Sequence, residues 1–168
     1  MAALKEKYKI FGIVIFLSVL FDQISKQAIL NRFFLGESVP VIPDLFNFTY
    51  VRNKGAAFGF LHSAPEAFRA PFFLAVPLIA IVVLGFLFHK LKPHEKLSAW
   101  ALSLILSGAL GNLIDRVRFG YVVDFIDFYY EPWGHWPAFN IADSAIVVGV
   151  SILFIQSLFS QDGSKKGS

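Results

Sequence analysis

Four apolar runs, at about 10–30, 70–88, 97–114 and 139–159, constrain this 168-residue chain more than any other feature. A hydrocarbon core of about 30 Å is crossed by roughly 20 helical residues at about 1.5 Å each. Lipid offers the backbone no hydrogen bonds, so runs of this length must fold as helices. Composition removes the alternative of a water-soluble bundle. Hydrophobic residues make up 56% of the chain and charged residues 16%, which leaves too little polar surface to cover a globule and too much apolar surface for disorder. Lys5, Lys7 and Lys9 precede Ile10–Phe21 much as the basic segment of a signal peptide precedes its apolar one. No small-x-small cleavage site follows, so the run is read as a retained helix. The expectation is one integral membrane domain over 1–168, mainly α, built as a four-helix bundle.

Lysine and arginine orient that bundle. Lys5, Lys7, Lys9, Lys90, Lys92, Lys96, Lys165 and Lys166 lie in the two end segments and the short second loop. The two long connections, about 31–69 and 115–138, hold only Arg32, Arg52, Lys54, Arg69, Arg116 and Arg118. The positive-inside rule then puts both termini and the tail 160–168 in the cytoplasm and both long connections outside. Bases scattered at the ends of apolar runs, with a net charge of only +3, argue against nucleic acid as a partner. The absence of cysteine excludes disulfides, thiolate metal sites and a cysteine nucleophile.

The long connections carry order of their own. Phe46-Asn47-Phe48-Thr49-Tyr50-Val51 alternates apolar and polar residues as a half-buried strand does, and Val122–Phe128 is a second β-prone run. A small sheet on the outer face would use both. Ser63-Ala64-Pro65-Glu66 has the form of a capping box with proline in the first turn, so span two is expected to begin as an interfacial helix. Pro71 and Pro77 are candidate kinks, and Trp133 and Trp136 suit an interfacial aromatic belt.

Charged groups at membrane depth cost at least about 2.5–3.5 kcal/mol each, so every one needs a reason. Asp22 lies twelve residues past Ile10, about 18 Å along a helix entering from inside. Asp115 and Arg116 end span three, Asp124 follows in the outer connection, and Asp143 opens span four. Separate segments thus bring carboxylates to one end of the bundle. Plain structural readings stand beside the functional ones. Asp22 and Lys26 have the i, i+4 spacing of a self-neutralising pair. Asp115 and Arg116 suit a helix-end pair in the headgroups, and Asp127 suits a solvated strand position. Asn112 and Asn140 are equally suited to capping and to substrate binding. His62, His89, His94 and His135 are dispersed, so no histidine metal site is expected, and no phosphate loop, nucleophile elbow or zinc-protease helix occurs.

Asp143 and Asp124 resist the structural readings, because each lies in an apolar stretch without a basic neighbour. Two carboxylates in a low-dielectric site share a proton, so the pair supplies an acid and a base together. Peptide hydrolysis without a metal or a covalent nucleophile needs such a pair. A small proton- or ion-coupled carrier would also use buried carboxylates, but it should show polar groups along a path to the cytoplasm, and spans two and four have almost none in their inner halves.

Five blocks resemble, in order and spacing, the bacterial lipoprotein signal peptidase (signal peptidase II, prolipoprotein signal peptidase) family over about 10–159. They are Phe21–Lys26, Arg52–Phe58, Gly108–Arg116, Gly120–Phe125 and Phe139–Ser144. The resemblance implies an aspartic endopeptidase of the bacterial inner membrane, with a periplasmic β-cradle and a periplasmic amphipathic helix. It would need no cofactor or metal, act as a monomer, and contact membrane lipids. Its substrates would be prolipoproteins carrying diacylglycerol on a cysteine, cut just before that cysteine near the periplasmic face. The family's catalytic pair falls on Asp124 and Asp143. Asn53, Gly55, Gly108, Asn112, Arg116, Val122, Asn140 and Ala142 fall on positions lining the site, with Asp22 and Lys26 supporting it.

Overall fold

The computed structural model describes residues 2–55 and 65–165. Four helices, α1 (Ala2–Arg32), α2 (Glu66–Lys90), α3 (Lys96–Phe119) and α4 (Ile141–Lys165), are joined through a small sheet of β1 (Ser38–Ile42), β2 (Phe46–Asn53), β3 (Val122–Tyr130) and β4 (Gly134–His135). All four helices contain segments long and apolar enough to cross a membrane. Their outward side chains are apolar; Phe16, Val82 and Phe154 are 65%, 71% and 63% exposed, a surface suited to lipid and not to water.

The bundle is organised around α3. Half of its membrane-crossing stretch is buried, against 11% of that in α4, and most of its inward residues are small: Ala99, Ala101, Ser103, Ser107, Gly108 and Gly111. Small residues let backbones approach where lipid supplies no hydrophobic drive for association. A Cβ on Gly149 of α4 would stand 2.6 Å from the Ala101 carbonyl oxygen, and one on Gly111 would stand 2.6 Å from an Asp22 carboxylate oxygen. Both glycines are required by the approach itself. The ion pair Lys96–Glu6 (2.8 Å) joins the starts of α3 and α1 at one end of the bundle, and the sheet closes the other.

The sheet is antiparallel in the order β1-β2-β3-β4. α3 stops at Gly120, whose φ of 77° and N–H bond to the Arg116 carbonyl form a left-handed cap. Only Gly120 and Tyr121 then separate α3 from β3. Alternation along β3 puts Val123 and Phe125 on the face that packs with Ile29 and Tyr50, and turns Val122 and Asp124 the other way. In β2, Thr49 and Tyr50 together oppose Phe125, because the register slips between the Phe48–Ile126 and Val51–Asp124 pairs. This bulge re-aims the end of β2. Backbone bonds between Phe139 and Ile126 (2.8 and 3.0 Å) dock the chain entering α4 against β3.

Of the capping box proposed for span two, Ser63 and Ala64 lie outside the described residues. Pro65 holds the N-cap position without a side-chain cap, and α2 runs through Pro71 and Pro77.

Candidate active site

Four elements, β2, α3, β3 and α4, converge where β3 meets the start of α4. Asn140 is the N-cap of α4: its side-chain oxygen accepts the Asp143 N–H (3.0 Å), and an Asp143 carboxylate oxygen accepts the Asn140 N–H (3.2 Å). This reciprocal capping box fixes Asp143 in the first turn, where the positive end of the helix dipole favours negative charge. Because the Asn140 oxygen is committed to that N–H, its amide nitrogen is free to donate to Asp124 Oδ1 (2.7 Å), and one asparagine holds both aspartates.

Each carboxylate is gripped at both oxygens. Asp124 Oδ2 accepts from the Asn53 amide (2.9 Å); Asn53 is oriented for this because its own oxygen accepts the Gly55 N–H (2.9 Å). Gly55 has a φ of 101° and lies against the Phe73 ring, so a side chain there would be strained and crowded. Asp143 Oδ1 accepts from Asn112 (2.7 Å). Asn112 in turn accepts from Lys26 (3.0 Å) and Asn140 (3.2 Å) through its oxygen.

Asp124 is buried, while Asp143 is partly open. Burial, and next the charge of Asp143, push the Asp124 carboxyl from the ordinary 3.8 up to about 7; hydrogen bonds from Asn53 and Asn140 and the charge of Lys26 pull the other way. The pair can therefore hold one proton between them near neutrality.

The remaining residues read from the sequence gather around this pair. Val122 pairs with Asn53 across β2 and β3. Gly108 lies against the Ala142 carbonyl and Ile146 of α4. Arg116 is within electrostatic range of Asp143, Asp124 and Asp115. Asp22 and Lys26 form their i, i+4 pair (2.9 Å), and Asp22 also accepts the Ala142 N–H (2.9 Å). Two structural readings fail. Asp115 is 1% exposed and pairs with Lys26 (3.1 Å), not with Arg116 in the headgroups, because successive helical residues do not face each other. Asp127 is buried too, not solvated: it accepts from Asn47 (3.1 Å) and meets His135 Nδ1 at 2.9 Å. Gln23, passed over in the sequence, donates to Gly111, Asp22 and Asp115; the signal for it was an amide beside Asp22 within a span. Among the described residues no group of three His, Asp or Glu side chains is placed to hold a metal.

The signal peptidase (SPase) II family, Peptidase_A8, matches residues 14–159. Lipoprotein signal peptidases of Geobacter metallireducens and Syntrophotalea carbinolica are 50% and 47% identical, over 92% and 89% of this chain and 94% and 91% of theirs. A solved bacterial membrane enzyme, 37% identical, superposes with a TM-score of 0.80 over 94% of this chain and 92% of its own. The chain belongs to the signal peptidase II family.

Proposed function

We propose that the chain cuts the signal peptide from prolipoproteins by an aspartate-dyad mechanism, with Asp124 and Asp143 as the catalytic pair. The observation that carries this reading is the shared proton site: two carboxylates from different elements, each fixed at both oxygens by asparagines, one of them with its carboxyl raised to about 7. Asp143, which is partly open, takes a proton from water. Neutral Asp124 donates a hydrogen bond to the scissile carbonyl oxygen. Water oxygen bonds to the carbonyl carbon, and the C–N bond breaks as the pair delivers a proton to the leaving amine.

The substrate would carry diacylglycerol on the cysteine that follows the scissile bond. The site lies at the sheet end of an apolar bundle, where a lipid-anchored cysteine would present that bond while its acyl chains remain in lipid. The lysine distribution supports a reading in which this end faces the periplasm from the inner membrane with both termini cytoplasmic, and the reading takes the enzyme as a monomer. Purified protein in detergent should shorten a diacylglyceryl-modified precursor without any other component. The unmodified precursor should persist. Cleavage of both at equal rates would remove the lipid requirement, and cleavage of neither would remove the protease reading.

A further inference from the structure

Behind the catalytic pair is a second, fully buried set of charges that the hydrolytic steps do not use. Lys26 is 2% exposed and stands 2.9 Å from Asp22 and 3.1 Å from Asp115, each 1% exposed. Neither acid stops at the lysine. Asp22 accepts the backbone N–H of Ala142 (2.9 Å), the residue before Asp143. Asp115 accepts the backbone N–H of Val123 (3.0 Å), the residue before Asp124. Gln23 donates to both acids (3.1 and 2.9 Å) and closes the group from the α1 side. The third Lys26 bond goes to the oxygen of Asn112, which leaves the Asn112 amide nitrogen facing Asp143.

We propose that Asp22, Lys26 and Asp115 form a clamp that sets the separation of the two catalytic carboxylates, with all three acting as positioning residues. α4 and β3 already meet through the Phe139–Ile126 backbone bonds and through Asn140, which bonds Asp124 and caps α4; Asp22 and Asp115 add a second connection, each holding the amide that immediately precedes an aspartate of the pair. Lys26 ties the two holding carboxylates together, so the distance between Ala142 and Val123 is transmitted to Asp143 and Asp124. A helix-stabilising pair would need only Asp22 and Lys26. The second acid, its bond across to β3, and the alignment of both acceptors on the residues just before the dyad are what a purely local role leaves unexplained.

This inference rests on the Asp124–Asp143 reading, and the test separates the two. kcat and KM are measured per folded molecule with a diacylglyceryl-modified precursor for Asp22→Ala, Asp115→Ala, the triple variant Asp22→Asn/Lys26→Met/Asp115→Asn, and Asp124→Asn. A loss of alignment of about 1 Å costs about 100-fold in rate, so each alanine variant should lower kcat by about that factor while KM stays within about threefold. Should the alanine variants fail to fold, the triple variant decides, since replacing a buried charge triad by neutral groups of similar volume is often tolerated. Its amides still accept the two N–H groups but lose the Lys26 tie, and its kcat should fall about tenfold, between the wild type and the alanine variants on that scale, with KM unchanged. A folded triple variant with wild-type kcat, while Asp124→Asn is dead, overturns the clamp alone. An active Asp124→Asn overturns the dyad and the clamp together.

Discussion

The two ends of the bundle solve the burial of polar groups in opposite ways. At the sheet end, Asp22, Lys26, Asn112, Asp115, Asp124 and Asn140 are all buried and bonded mainly to one another. At the Lys96 end, the core is Phe88, Ala99 and Leu102, and its buried charge, Lys7, is spent on backbone. The Lys7 ammonium donates to the carbonyls of Phe88, His89 and Leu91 (3.2, 3.3 and 2.9 Å), closing the C-terminus of α2. A cation on orphan carbonyls at a helix end is a structural device. A network of carboxylates and amides in a low-dielectric site costs more to assemble, as a site built for chemistry would. Chemistry should therefore respond to changes at the sheet end, and stability alone to changes at the other.

The first way to break that contrast is pH. With its carboxyl raised to about 7, Asp124 keeps its proton below that value and loses it above. kcat/KM should fall about tenfold for each pH unit past the midpoint as the dyad loses its last proton. The stability effect has the same sign. A raised carboxyl contributes stability that is complete below the unfolded value near 3.8 and disappears as pH rises through about 7. A rate that stays level from pH 7 to well above it would show that the shared proton is not needed.

A smaller effect is expected from Lys7→Met. Three carbonyls lose a charged donor, a cost of at least about 1.5–3 kcal/mol, the range for a single hydrogen bond to an ion. The melting temperature in detergent should drop by several degrees, at about 2–4 °C per kcal/mol for a chain of this size. Cleavage rate per folded molecule should be that of the wild type. A matching loss of kcat would erase the distinction between the two ends.

Much of this was legible in the sequence because the membrane simplifies the problem. Apolar length identifies the spans, and each charge inside one stands out, which is how Asp22, Lys26 and Asp143 were found. Period-two alternation disclosed β2, and the apolar surroundings of Asp124 marked it as unusual. Asp115 was misread because its sequence neighbour Arg116 offered a ready partner, whereas its true partner, Lys26, comes from another helix at a distance that no local pattern records. Asp127 was misread for a similar reason: its partners are Asn47, from the neighbouring strand, and His135, brought back by the two-residue strand β4. The Asn140–Asp143 box was within reach, since Asn-x-x-Asp has the reciprocal capping spacing. What could not be read was that Asn140 would use its remaining nitrogen on Asp124, because that depends on the docking of Phe139 against β3.

The central claim is that Asp124 and Asp143 work as one acid–base unit, and the most direct test is the initial cleavage rate per folded molecule for Asp124→Asn, Asp143→Asn and the double variant. Asparagine preserves the volume of each side chain and much of its hydrogen bonding while removing the titratable proton. Groups that act as a unit are strongly non-additive, so each single variant should fall to background and the double variant no lower. An Asp143→Asn protein that cleaves at near wild-type rate, or two partial losses that multiply in the double variant, would contradict a shared-proton dyad.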